Sequence, residues 1–306
     1  MVTQYQYDEL MSKADLDELI LMMEWTLRNA KDANCDVPQR SMIYKEDGRA
    51  AYFSMPAFST DLQLFITKIA TFKERAANDQ FPSITSLVVA FEGINGQLLA
   101  LLDGSAVTNI KCAALAALVT RHCSEDKPHH LAVLGSGTQA RQQLWGMSTV
   151  RNIQRLTLWS RSHNNAHALA EEARIKWLPN CDIRVVCEPE EALREATLIS
   201  TTTSSCQPIA TFRKLLPGVH INCMGAHTPQ SRELPRSVLE QATLIVENRC
   251  TACAEAGDLH QSALEVSELV NGPTHFHDST VFSSTGYAVF DLITTAYLLS
   301  KLPKLI

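Results

Sequence analysis

The chain has 306 residues, a formal charge of −6, 45% apolar residues and 20% charged ones, an ordinary globular composition long enough for two domains. No basic stripe marks a nucleic-acid surface, and no apolar run approaches the roughly 20 residues that span a bilayer. The polar start "MVTQYQYDEL" does not read as a signal peptide, and nine cysteines, an odd number, read as reduced thiols in a cytoplasmic protein.

In chain order, Tyr7 to Ala30 is helix-rich, and its pattern places Leu19, Met22, Met23 and Trp25/Thr26 near one packed face. "RSMIYKEDGRAAYFSMPAF" predicts a hairpin about Asp47-Gly48, and "QLFITKIATF" a further strand. "SLVVAFEGINGQLLALLDG" predicts two strands joined at Asn95-Gly96, because asparagine–glycine favours the tight turn that joins antiparallel strands. "SAVTNIKCAALAALVTRHC" predicts a helix with Ile110, Ala114, Ala117 and Leu118 on a buried stripe. "SEDKPHH", charged and containing proline, is the expected domain boundary.

Strands and helices then alternate. "LAVLG", "LTLWS", "IRVVC", "TLIST", "VHINCMG" and "TLIVE" are the expected strands, and the segments between them repeat a β–α–β pattern. That pattern implies an α/β fold, a doubly wound parallel sheet with helices on both faces. Cys250-Thr-Ala-Cys253 lies in a helix-like run with no second pair at zinc-ribbon spacing, and His275-Phe-His277 reads as a loop feature, so no metal site is expected. The tail "SSTGYAVFDLITTAYLLSKL" predicts an amphipathic helix that closes back onto the first segment.

Gly135-Ser136-Gly137-Thr138-Gln139-Ala140 follows a strand and opens a helix. In that context GxGxxA reads as a dinucleotide cradle: Gly135 permits the tight turn, Gly137 lets the backbone approach a pyrophosphate, and Ala140 allows close strand–helix packing. Thr138 and Gln139 open the helix, whose free N–H groups face the phosphates. The second strand ends "LTLWSRSHN" with no Asp or Glu to hold a ribose diol. Ser160, Arg161 and Ser162 stand there instead. Arginine pairs with a 2′-phosphate that a carboxylate would repel, which favours NADP(H) over NAD(H). Thr202 and Thr203, after "TLIST", and Met224 and Gly225, ending "VHINCMG", complete the expected cofactor lining.

"LLALLDGSAVTNIKCAALAAL", "AVLGSGTQARQQL", "WSRS", "HINCMGAHTPQSREL", "EAGDL" and "SSTGYAVFDL" together resemble the ornithine cyclodeaminase/mu-crystallin family, over nearly the whole chain. The resemblance implies a Rossmann-like NAD(P)-binding domain at 126–285. It also implies an α+β substrate and dimerisation domain at 1–125, completed by a C-terminal helix at 286–306, with substrate between the domains and a homodimer. It matches family site residues to Arg40 in "VPQRSMI", to Lys68 in "FITKIATF", and to Lys111, where the family carries arginine. Thr285 and Gly286 join these as expected substrate contacts. The aspartate of cyclodeaminases is matched by His227 in "MGAHTP".

Arg40, Lys68 and Lys111 suit a small anionic substrate. Lys68 interrupts an apolar strand, where a charge buried without a partner is costly, and is the expected proton donor to an imine. A histidine does not supply the negative charge that an aspartate offers a distal amino group, which disfavours ornithine cyclodeamination; His227 could serve as acid or base. The expected activity is NADP(H)-dependent reduction of small ketimines or cyclic imino acids, Δ1-pyrroline-2-carboxylate to proline or Δ1-piperideine-2-carboxylate to pipecolate. The rivals are ornithine cyclodeaminase, an alanine or opine-type dehydrogenase, and an NADPH-dependent binding protein such as mu-crystallin.

Overall fold

The computed structural model describes residues 3–29, 34–46, 50–73, 82–213, 215–225, 232–272, 276 and 278–303. The chain forms two compact units, Met1–Lys111 with Tyr287–Ile306, and Cys112–Gly286. The division falls inside a helix and not in the 124–130 stretch. Arg151 pins that stretch within the second unit, donating to the carbonyls of Arg121 and Ser124 at 2.7 and 2.6 Å, so its charge and proline mark a braced turn.

The first unit begins with β1 (Gln4–Tyr5), α1 (Tyr7–Lys13) and α2 (Leu16–Asn29). The buried face of α2 is Leu16, Leu19, Ile20, Met23 and Thr26, a spacing of three and four residues. Trp25, expected on that face, is exposed because it falls on the opposite side of the turn. Next come β2 (Cys35–Asp36), β3 (Ser41–Tyr44), β4 (Ala50–Ser59), β5 (Leu64–Lys73), β6 (Ile84–Glu92) and β7 (Leu98–Asp103). The sheet order is β1-β7-β6-β5-β4-β2, with β3 also on β4. β1 pairs parallel with β7 and the other pairs are antiparallel. The β6–β7 turn contains Gly96 at φ +73°, as the asparagine–glycine pair predicts. Asp47 and Gly48, the expected β3–β4 turn, lie outside the described residues.

Helix α3 (Gly104–Cys123) follows. Its expected single stripe is a buried helix instead: Val107, Ile110, Ala113, Ala114, Leu115, Ala116, Ala117, Leu118 and Val119 are each at most 1% exposed. Small alanines around the whole circumference let neighbours approach from every side. Among the described residues no helix is long and apolar enough to cross a membrane.

The second unit contains β8 (His129–Leu134), α4 (Thr138–Val150), β9 (Ile153–Trp159), α5 (His163–Lys176), β10 (Asp182–Val185), α6 (Pro189–Leu193), β11 (Leu198–Thr201), β12 (His220–Cys223), α7 (Arg236–Gln241), β13 (Thr243–Val246), α8 (Arg249–Ala256), β14 (Leu264–Glu265), α9 (Val266–Asn271) and β15 (Thr280–Ser283). The strands form one all-parallel sheet, ordered β10-β9-β8-β11-β12-β15-β13-β14. Six of the eight strands match the predicted runs. β14 and β15 were not predicted, and β15 separates β12 from β13. Only four residues long and buried throughout, "TVFS" carries no alternation to betray it. The final helix, α10 (Ala288–Lys301), returns to the first unit and packs on β4, β5 and α2.

Candidate functional site

The carboxyl ends of five neighbouring strands in the second unit are aligned by main-chain hydrogen bonds that continue into their loops. Gly135 N–H donates to Trp159, Thr202 to Leu134, Met224 to Thr201 and Ser284 to Cys223, at 2.8 to 3.1 Å. In an open parallel sheet this edge is where a nucleotide binds, at the point where the strand order reverses, here between β8 and β11.

Gly135 and Gly137 do different work. Gly135 has φ +125°, and a side chain there would press into Thr202, whose carbonyl oxygen would lie 2.8 Å from a Cβ. Nothing lies within 4 Å of a Cβ at Gly137, which leaves room beside the loop. Gly137 also N-caps α4 without a side-chain cap, so first-turn N–H groups remain for an anion. Arg141 donates to the carbonyls of Ser136 and Gly137 at 3.0 and 3.1 Å and pairs with Glu172 at 2.8 Å, which satisfies those carbonyls. Ala140 is fully buried, Thr138 is exposed, and the buried Oε1 of Gln139 lacks a hydrogen-bond partner among the described residues. These features fit a dinucleotide.

At the end of β9, Ser160 shares a 2.8 Å hydrogen bond with Ser136, and the Ser162 hydroxyl accepts from Asn165 N–H to cap α5. Arg161 is exposed. Ser162 keeps its own proton to donate.

Two buried carboxylates brace the remaining loops of this edge. Glu233, fully buried, accepts from Thr203 N–H at 2.5 Å and its hydroxyl at 2.6 Å, and from the Thr201 hydroxyl and Gly225 N–H, both at 2.8 Å. Glu247 accepts from the Ser284 hydroxyl at 2.5 Å, Thr285 N–H at 3.0 Å and Gly286 N–H at 3.2 Å. Thr202, Thr203, Met224, Gly225, Thr285 and Gly286 thus all stand in loops at one end of the sheet. Neither glutamate was singled out from sequence. The clue for Glu247 was an acid ending the apolar run "TLIVE".

In the first unit, Lys68 on β5 and Lys111 on α3 converge on one carboxylate. Lys68 Nζ donates to Asp291 Oδ1 at 2.7 Å, and Lys111 Nζ to Oδ2 at 3.2 Å. The three are 6%, 4% and 0% exposed. Burial pushes the Asp291 carboxyl up, but the charges of Lys111 and Lys68 outweigh it and hold it below the ordinary aspartate range. The carboxylate therefore partly neutralises the pair of cations. Asp291 is the residue that sequence reading missed; an acid in the otherwise apolar "AVFDLITTAYLL" was its signal.

Arg40 is half-buried and precedes Ser41. Carried one residue further, the β3–β4–β5 register sets it opposite Met55, the partner of Lys68, two strand spacings or roughly 10 Å from Lys68. His227, His275 and His277 lie outside the described residues. Cys250 and Cys253 sit on α8 as unbridged thiols, and among the described residues no group of three metal-binding side chains occurs.

A family model described as the ornithine cyclodeaminase/mu-crystallin family matches residues 2–303. The chain is 32% identical over 284 residues to the ketimine reductase mu-crystallin of Rattus norvegicus, covering 90% of this chain and 89% of that protein. It is 28% identical over 310 residues to a Delta(1)-pyrroline-2-carboxylate reductase of Bacillus cereus, covering 96% and 94%. The structure of the Thermococcus litoralis Delta(1)-pyrroline-2-carboxylate reductase in complex with NADH and L-proline superposes with a TM-score of 0.90 at 23% identity, covering 98% of this chain and 97% of that one. Both sheets are thus accounted for by one known architecture, and the chain belongs to the ornithine cyclodeaminase/mu-crystallin family.

Proposed function

We propose that the protein is an NADP(H)-dependent reductase of small cyclic imino acids and ketimines, with Δ1-pyrroline-2-carboxylate and Δ1-piperideine-2-carboxylate as substrates and L-proline and L-pipecolate as products. The observation that carries this reading is the buried Lys68–Asp291–Lys111 cluster, on a chain that also bears a dinucleotide cradle. The names of its relatives, a ketimine reductase and a pyrroline-2-carboxylate reductase, support it.

When bound, a reduced nicotinamide supplies hydride. The chain's own residues supply the proton and the charge. Reducing C=N to CH–NH needs one proton at nitrogen, and the Lys68 ammonium is the donor. Asp291 fixes its Nζ with a charged hydrogen bond. Lys111 and Arg40 offer positive charge to the substrate carboxylate. Arg161 and the free Ser162 proton favour a 2′-phosphate, and no acid at the end of β9 opposes it.

The protein is further read as a homodimer through the face of the first sheet opposite Lys68, where Ile43, Tyr52 and Ile69 are 70%, 49% and 50% exposed on adjacent strands. Apolar surface of that kind marks an interface. The test is oxidation of NADPH with each cyclic imine. Turnover of neither imine, with ammonia release from ornithine instead, overturns the reading.

A further inference from the structure

Glu233 is a buried carboxylate held by two backbone N–H groups and two threonine hydroxyls. Its two oxygens take four hydrogen bonds from Thr203, Thr201 and Gly225, and Cys223 Sγ lies 3.7 Å from Oε2. No lysine, arginine or histidine among the described residues pairs with it. A backbone N–H holds each oxygen as an acceptor, which is the arrangement an ionised carboxylate requires. Burial dominates and holds its carboxyl above the ordinary glutamate value, while the hydrogen bonds from Thr203, Thr201 and Gly225 pull it part of the way back. A buried charge without a countercharge is costly even when hydrogen-bonded, so its position at the nucleotide edge calls for a use.

The geometry supplies two. Glu233 ties the loop after β11 to the loop after β12, through Thr203 N–H on one oxygen and Gly225 N–H on the other. Gly225 is also the position where any Cβ would collide with the Glu233 carboxyl and the Thr203 carbonyl, so the brace and the glycine require each other. The second use is electrostatic. A fixed negative charge in a low-permittivity edge favours a cationic ligand group over a neutral one. The oxidised nicotinamide ring is cationic and the reduced ring is neutral.

We propose that Glu233 is a positioning residue that sets the two loops and, through its fixed charge, weights cofactor binding toward the oxidised form, easing hydride release toward the imine. This rests on the reading of the protein as a nicotinamide-dependent reductase.

The test is the dissociation constants of NADP+ and NADPH, each measured by titration calorimetry on the full chain, for the wild type, Glu233→Gln and Thr201→Val. Glu233→Gln raises the ratio Kd(NADP+)/Kd(NADPH) by roughly tenfold, the size of a single charge effect. A purely structural role moves both constants together and leaves the ratio alone; that result overturns the electrostatic proposal. The glutamine amide must confront at least one backbone N–H, so this variant can fail to fold. Thr201→Val keeps the charge and removes one donor from a residue outside the cofactor lining. It raises both constants together by roughly three- to tenfold, with the ratio within about twofold of wild type. Unchanged constants in Thr201→Val refute the brace. A wild-type protein that binds neither NAD(H) nor NADP(H) refutes the nicotinamide reading itself, a separate outcome.

Discussion

Replacing Asp291 with asparagine removes the carboxylate that joins two buried ammonium groups. In the native structure the carboxylate is 2.7 Å from Lys68 and 3.2 Å from Lys111, and all three groups are almost wholly withdrawn from water. Breaking a buried ion pair by deleting one partner costs about 3–5 kcal/mol, because the remaining charge is left desolvated. Here two like charges remain, so Asp291→Asn belongs at the upper end of that range. Lys111→Met leaves the shorter Lys68–Asp291 pair intact and costs only about 1–2 kcal/mol. The double variant Lys111→Met/Asp291→Asn leaves a single buried cation, and it is therefore more stable than Asp291→Asn alone. Urea unfolding at neutral pH, followed by far-UV circular dichroism, gives the order wild type, Lys111→Met, double variant, Asp291→Asn. If Asp291→Asn lies within about 1 kcal/mol of wild type, or the double variant is the least stable, the charge-balance reasoning is wrong.

Gly135→Ala destabilises the free protein by about 3 kcal/mol or more, given its left-handed φ and the Thr202 collision; Gly137→Ala leaves thermal stability near wild type but weakens NADPH binding at least tenfold, since the space it fills is the phosphate's. Arg161→Ala raises the Kd for NADPH by about tenfold and leaves that for NADH within twofold, read by fluorescence titration. His220 is buried on β12, and burial lowers its pKa to about 4. The unfolded chain takes up that proton near pH 6.5, so stability falls as pH drops from 6.5 to 4, with about 3 kcal/mol from His220. His129, His130 and His260, also lowered by burial, add to the same slope, so His220→Gln makes it shallower without abolishing it, and a variant with the full wild-type slope refutes the assignment.

The strand–glycine–helix order of residues 131–140 was legible because a turn, a phosphate approach and a packing position each demand a small residue at fixed spacing. Lys68 was legible for a different reason, as a charge on an apolar strand. What made it tolerable, Asp291, was not legible, because its partner lies 223 residues away and a lone acid in a helix is ordinarily a solvated one. β15 stayed hidden for want of length, and Glu233 because its donors come from two strands and the loops after them. The sequence indicates which groups need partners more readily than it indicates who the partners are.

The position of β15 and α10 in the chain also governs how the protein can be made. β15 lies between β12 and β13, so the parallel sheet stays split until Ser283 has been synthesised. The first unit, translated first, waits longer still, for the helix that carries Asp291. Until α10 leaves the ribosome, Lys68 and Lys111 lack the Asp291 carboxylate, and the face of β4 and β5 that α10 covers stays open to solvent. Neither half is complete until these C-terminal elements are in place, so long-range pairing comes late in the folding of both.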